Sequence, residues 1–408
     1  GEMVTGRAEG LKFAARALDP KTAPAKRIAR GAIVRVQRDE KNNWQIAQLP
    51  EIEAAFVSLD PEDGAVRALV GGFDFGRNKF NHVTQAWRQP GSSFKPFIYS
   101  ASLEKGYTPA TVVPDEPVVV EADVTGSQRW EPKNYDGKFE GPMRLRTALA
   151  KSKNMVSVRI VQDITPKYVQ DYVTRFGFDA DKQPPYLTLA LGAGSVTPLQ
   201  MARAYAVFAN GGYLVQPYFI QRIVDDRGDA LGTANPPRAG DDALRVIDAR
   251  NAFIMDSMMK DVTRYGTAAQ AAKLGRRDLA GKTGTTNDFV DGWFCGYQPS
   301  LVGVAWLGFD QPRTLGRNQT GGRVALPIWI EYMGRVLRGV PEAERAVPAG
   351  VVSAKIDADP AAPAAVRSGS EFFYREFLPP EPAPTAPPPP TPASPAPVTP
   401  PPKLPTPP

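Results

Sequence analysis

Three short runs, 278–286, 289–297 and 301–309, read as strands separated only by polar or glycine-containing turns. A second pair of strand-like runs, 53–59 and 65–70, stands roughly 200 residues upstream and flanks Asp60-Pro61-Glu62-Asp63-Gly64, a strong hairpin signal. Between the two groups the apolar spacing is helical over 142–163, 197–209 and 248–265, and 321–338 reads as a closing helix. A strand pair, then helices, then three strands and a helix leaves few options, because each group needs a partner to bury its apolar face. The order predicts an α+β chain built on one antiparallel five-stranded sheet. Its outer strands come from both ends of the domain, helices flank it, and a mostly helical subdomain is inserted.

Outside that region the chain changes character. Residues 31–37 and 43–48 look like short strands around Asn42-Asn43, and Val351–Ile356 is one further strand, followed by the aromatic cluster Phe372-Phe373-Tyr374. Of the 42 prolines, 17 lie in residues 378–408, so this stretch is expected to stay extended and unpacked. The formal net charge of +6 is concentrated in residues 1–38, where nine Lys and Arg meet three acidic residues. Such an end can meet acidic lipid or an anionic polymer, or be a solvated basic face. No interleaved aromatics argue for nucleic acid. No apolar run approaches 18 residues, and the start does not read as a signal peptide.

Two single residues narrow the chemistry. Cys295 is the one cysteine, which excludes an intrachain disulfide. His82 is the one histidine and sits in a Gly/Asn-rich loop, 71–91, without a motif around it. A two-histidine metal site cannot be built, no cofactor is expected, and a serine enzyme here needs a lysine as its base.

Three motifs supply that chemistry, in this order: Ser92-Ser93-Phe94-Lys95, Ser152-Lys153-Asn154 and Lys282-Thr283-Gly284. Each alone is short enough to arise by chance; the ordered set is not. A helix starting at Ser92, with Pro96 in its first turn, puts Ser92 and Lys95 on one face, so Lys95 can take the Ser92 proton. Lys95 must then be neutral, and burial together with the nearby cation Lys282 would lower its pKa. Ser152 can relay a proton, and Asn154 can offer its amide to a substrate carbonyl; the plainer reading is a helix break at 150–154. Lys282-Thr283-Gly284-Thr285 lies on a strand where Gly284 leaves one face bare for a substrate. There the Thr285 N–H can join that of Ser92 as an oxyanion hole.

The surrounding residues sharpen this set. Arg88-Gln89-Pro90-Gly91-Ser92-Ser93-Phe94-Lys95-Pro96, Gly192-Ala193-Gly194-Ser195-Val196-Thr197-Pro198-Leu199-Gln200 and Gly281-Lys282-Thr283-Gly284-Thr285-Thr286 resemble class A penicillin-binding proteins. So does Asp291-Gly292-Trp293-Phe294-Cys295-Gly296-Tyr297, and the likeness covers roughly residues 50–340. The stretch 47–50 leading into 56–60 is more similar to the 1A branch than to the 1B relatives. The resemblance implies a serine β-lactamase/D,D-transpeptidase-like fold and an enzyme of the periplasmic face of the bacterial inner membrane. Ser92 would be acylated by a peptidoglycan stem peptide ending in D-Ala-D-Ala, pass the acyl group to an amine of a neighbouring stem, and be trapped by β-lactams. Members of the family also carry an N-terminal membrane helix and a glycosyltransferase domain, so the chain is expected to be part of a longer protein. The expected division is 1–50, the tail of a small β-domain plus linker; 51–340, the transpeptidase domain; 341–377, a C-terminal extension; and 378–408, the Pro-rich tail. A D,D-carboxypeptidase, a β-lactamase and a β-lactam sensor share the motifs. The absence of a Glu-x-x-Leu-Asn pattern between Asn154 and Lys282 argues against the β-lactamase.

Overall fold

The computed structural model describes residues 8–121, 129–364 and 369–379. The Pro-rich expectation for 378–408 therefore lies almost wholly outside the described residues.

The central sheet is built from β1 (Glu53–Leu59), β2 (Val66–Val70), β3 (Ala280–Thr285), β4 (Gly292–Gln298) and β5 (Leu301–Gly308). Its order is β2-β1-β5-β4-β3 and every pairing is antiparallel, as the strand order predicts. The β1–β2 turn is held by its acidic residues: Asp60 Oδ1 accepts from Glu62 N at 2.9 Å and Asp63 Oδ1 from Ala65 N at 2.8 Å. Side chains that cap their own backbone in this way are why such residues mark turns. Strand β1 joins β5 in the register Val57↔Val304, which unites the two distant strand groups. Strand β3 is left at an edge.

One helix is central. α1 (Lys95–Leu103) has all nine residues buried. Phe97 packs its ring within 5.0–5.5 Å of those of Phe94, Phe176, Phe178, Tyr205 and Phe208. Burying one such side chain contributes about 1.5–3 kcal/mol, so this knot of rings fixes the start of α1 firmly. The expected helix start at Ser92 is corrected here: Gly91–Phe94 is one 3-10 turn and the α-helix begins at Lys95. Ser92 therefore does not cap it.

A second correction concerns 142–163, which is not one helix. Gly141–Arg144 is a strand paired with Val112–Asp115. α2 (Leu145–Lys151) follows, Ser152 turns left-handed (φ 59°, ψ 40°), and α3 (Asn154–Ile164) begins at once. Apolar periodicity runs through this break because both helices bury the same kind of face, so periodicity alone could not reveal it. α4 (Pro198–Asn210) and α5 (Ala249–Arg264) match their expected spans. α4 has a capping box between Thr197 and Gln200 and Pro198 in its first turn. α6 (Leu326–Val336) closes the fold, with Trp329 Nε1 donating to Gly296 O of β4 at 3.2 Å.

Beyond the sheet, Arg35–Arg38 pairs with Trp44–Ala47, close to the expected runs. The expected strand Val351–Ile356 is present as Val351–Lys355, and the aromatic cluster forms its partner, Ser370–Tyr374. No helix among the described residues is long and apolar enough to cross a membrane.

Candidate active site

The three motifs meet in one cleft of about 460 Å³. Ser92, Ser152, Asn154, Thr283 and Thr285 line it, while Lys95 and Lys282 lie buried behind its wall.

The segment before Ser92 lies hard against the end of β3. A Cβ on Gly284 would stand 2.5 Å from Pro90 O and 2.8 Å from Ser93 Oγ, and one on Gly91 (φ 54°) would stand 2.6 Å from Thr285 O. These approaches, rather than an open face for substrate, are what require glycine at 284. From behind, Tyr205 of α4 donates its hydroxyl to Ser93 O at 2.7 Å. Thr286 N donates to Asp291 O at 3.2 Å, and the register continues with Thr285↔Gly292. Alternation along an antiparallel pair then turns the Thr285 N–H away from β4, toward the free edge where Ser92 sits.

Both expected lysines are buried, and Ser152 joins them. Lys95 Nζ donates to Ser152 O at 2.7 Å, to Ser152 Oγ at 3.4 Å and to Asn154 Oδ1 at 2.7 Å. Lys282 Nζ donates to the same Ser152 Oγ at 2.8 Å and to Thr283 O at 3.1 Å. Burial pushes the Lys95 amine well below its ordinary pKa, and the Lys282 charge pushes the same way. Burial likewise brings Lys282 down to about 7. Two expectations are modified. Lys95 is turned to Ser152 and Asn154 rather than bonded to Ser92. Asn154 spends its carbonyl on Lys95 and donates Nδ2 to Lys133 O at 2.7 Å, which leaves one amide hydrogen for a substrate.

Several residues of the site carried no sequence signal. Lys153, the unassigned middle of its motif, is 3% exposed. Its ammonium is ringed by Asp115 at 3.2 Å, Asp136 at 3.4 Å and Glu140 at 2.9 Å. Burial lowers its pKa, but the hydrogen bonds and charges of Glu140 and Asp115 outweigh this and hold it above the ordinary value. Asn134 Oδ1 accepts from Asn154 N at 2.8 Å, which anchors the first turn of α3. Thr267 bonds Thr283 hydroxyl to hydroxyl at 2.6 Å. Tyr135 reaches across the mouth to Phe289, ring centroids 5.9 Å apart. Nearest-neighbour reasoning along the chain has no access to such partners, which come from loops tens to hundreds of residues away. His82 lies elsewhere, buried between Gly71 O and Asp310 Oδ1, both at 2.7 Å, and stacked on Trp306.

A family model described as the penicillin binding protein transpeptidase domain matches residues 54–329, and a penicillin-binding protein OB-like domain matches residues 1–52. Penicillin-binding protein 1A of Neisseria lactamica is 48% identical over 353 residues, 86% of this chain and 44% of that protein. The protein of that name from Pseudomonas aeruginosa is 45% identical over 405 residues, 88% of this chain and 49% of its own length. The chain thus spans about half the length of these relatives. The crystal structure of penicillin-binding protein 1A from Haemophilus influenzae superposes with a TM-score of 0.80 at 36% identity, covering 85% of this chain and 56% of that one. The PonA1 protein of Mycobacterium tuberculosis in complex with penicillin V gives 0.62 at 30% identity, covering 73% of this chain and 81% of that one. With a family model over more than half of its residues and relatives this similar along most of it, the chain belongs to the penicillin-binding proteins and contains their transpeptidase domain.

Proposed function

We propose that the chain is a peptidoglycan D,D-transpeptidase acting through an acyl-enzyme on Ser92. The observation that carries this reading is the bridge Lys95–Ser152–Lys282, two buried lysines sharing one hydroxyl beside a half-exposed serine. In acylation, neutral Lys95 takes the Ser92 hydroxyl proton as Oγ attacks the penultimate carbonyl carbon of the donor stem. The oxyanion forms against the N–H groups of Ser92 and Thr285. The C–N bond breaks, the proton passes from Lys95 by way of Ser152 Oγ to the departing nitrogen, and D-Ala leaves. The amine of a neighbouring stem then attacks the ester, gives its proton back along the same path, and frees Ser92. A β-lactam acylates Ser92 identically, but its leaving nitrogen stays tethered and blocks the acceptor.

The substrate puts this work at the periplasmic face of the inner membrane. We take residues 1–50 as the tail of a small β-domain plus linker, 51–340 as the transpeptidase domain, 341–377 as its C-terminal extension, and 378–408 as a tail. The test is intact mass after exposure to penicillin, with wild type and Ser92→Ala. One adduct on wild type, localised to Ser92 and lost in the variant, is expected. An adduct that survives Ser92→Ala refutes the assignment. A D-Ala-releasing assay with and without an added amine acceptor separates transpeptidase from carboxypeptidase.

A further inference from the structure

The two proposed oxyanion donors belong to different parts of the chain. Ser92 lies in a turn that enters α1, and Thr285 ends β3. Something must hold these parts in register, and backbone packing at Gly91 and Gly284 only sets how closely they approach.

Two partly buried side-chain bonds cross this junction. Arg88, four residues before Ser92, donates Nε to Asp291 Oδ1 at 2.7 Å, with the side chains 10% and 5% exposed. Trp293 of β4 donates Nε1 to Gln89 O at 2.9 Å. Asp291 is itself fixed: its Oδ1 also accepts from Trp306 Nε1 at 2.9 Å, and its N–H donates to Thr286 Oγ1 at 2.8 Å. It thus closes the short loop that leaves Thr285 and returns to β4. On the other side, Arg88 exchanges both backbone hydrogen bonds with Val196, at 2.9 and 3.0 Å. The guanidinium lies over the Trp306 ring at 5.2 Å.

We propose that Arg88 and Asp291 are positioning residues that staple the turn carrying Ser92 to the loop after Thr285, and so set the spacing of the two oxyanion donors. The inference rests on the acyl-transfer reading above. A buried ion pair is a poor way to gain stability, because removing two charges from water cancels most of their attraction. This one is also incompletely compensated: Arg88 Nη2 is buried without a hydrogen-bond partner among the described residues. What the pair supplies is a fixed distance between two chain segments, and misplacement of a reacting group by about 1 Å can cost on the order of a hundredfold in rate.

The experiment measures acylation by a chromogenic penicillin, resolved into the rate constant k2 and the dissociation constant K of the preceding complex. Arg88→Gln combined with Asp291→Asn removes both charges at once, so neither is stranded. The expected result is a k2 lower by about tenfold to a hundredfold with K within about twofold. Trp293→Phe, which cuts the second tie without touching a charge, should lower k2 several-fold and carries the same test should the double variant unfold. Arg276→Gln with Asp278→Asn is the control, since that pair is equally buried (2.6 Å; 11% and 0% exposed) but precedes β3 at its opposite end. It should lose a similar amount of thermal stability while k2 stays unchanged. A thiono analogue of an ester substrate gives a second readout, because a well-set oxyanion hole discriminates against sulfur. The oxygen-to-sulfur rate ratio should shrink in the staple variants alone. Unchanged k2 in both staple variants, or an equal fall in the control, overturns the staple while leaving Ser92 acylation standing. Wild-type protein that takes no acyl group overturns the functional reading first, and the staple with it.

Discussion

Lys282→Met tests whether one buried cation keeps the other neutral. Both lysine nitrogens reach Ser152 Oγ, at 2.8 and 3.4 Å, so they lie no more than about 6.2 Å apart. At an effective dielectric constant of about 20, two unit charges at that distance repel by about 2.7 kcal/mol. Added to burial, that repulsion lowers the Lys95 pKa. Removing the Lys282 charge should therefore let Lys95 keep its proton to higher pH. The acid limb of the acylation profile should move to higher pH, with a smaller drop in the alkaline plateau. The assay is stopped-flow acylation by a fluorescent penicillin from pH 5 to 9. A lowered plateau with an unmoved acid limb would mean that Lys282 acts by hydrogen bonding to Ser152 alone. Stability gives an independent check. Lys282 titrates near 7 when folded and near about 10.4 when unfolded, so between those values the unfolded chain binds more protons. Wild type should accordingly gain stability relative to Lys282→Met as pH rises from 7 to 10.

Three other outcomes follow from the packing. Lys153→Met strands Asp115, which is 0% exposed, and should cost about 3–5 kcal/mol in chemical denaturation; a loss below 1 kcal/mol would mean that the carboxylates find other partners. Gly284→Ala drives a Cβ to 2.5 Å from Pro90 O and should cut acylation by about a hundredfold or more, and wild-type k2 in that variant would contradict the close packing. Ending the chain before Phe372 removes Phe372, Phe373 and Tyr374, which pair with Ser353, Val352 and Val351, and should lower the melting temperature by several degrees. Ending it after Phe377 removes a stretch too poor in apolar residues to build a core contact and should change neither melting nor acylation; equal melts for the two truncations would show that the hairpin contributes nothing.

The sheet was legible because its strands are short runs bounded by turns that carry Asp, Pro, Gly or Ser, which are local properties. α4 was legible from its helical apolar spacing over 197–209, a local property as well. The break at Ser152 left no mark on the apolar period, which runs through both amphipathic helices, and showed only in the Ser and Asn of 150–154. The 3-10 turn at Gly91–Phe94 was not legible, because the start of the α-helix is decided by β3 lying against Gly91 rather than by any cap. For the candidate site, the residues named from motifs all fall at the cleft or in its wall. Those that orient them, Lys153, Asn134, Arg88 and Asp291, act through partners distant in sequence. A charged residue whose partner is far away looks like any surface charge until the fold brings the two together.

The pairing of β1 with β5 sets the timetable on which this molecule can come into being. Leu59 and Val302 are neighbours in space but roughly 240 residues apart in sequence. A chain threaded out from its N-terminal end presents the β1–β2 hairpin first, with one side of β1 unmatched until nearly everything else has followed. Closing so long a loop is slow, and an unmatched apolar edge invites other chains while it waits. The sheet that carries β3 beside Ser92 is therefore completed late, once β5 has joined β1. Substitutions that weaken the β1–β5 seam should reduce the yield of folded protein more than the stability of the molecules that do fold, a signature to be sought in refolding yields rather than in melting curves.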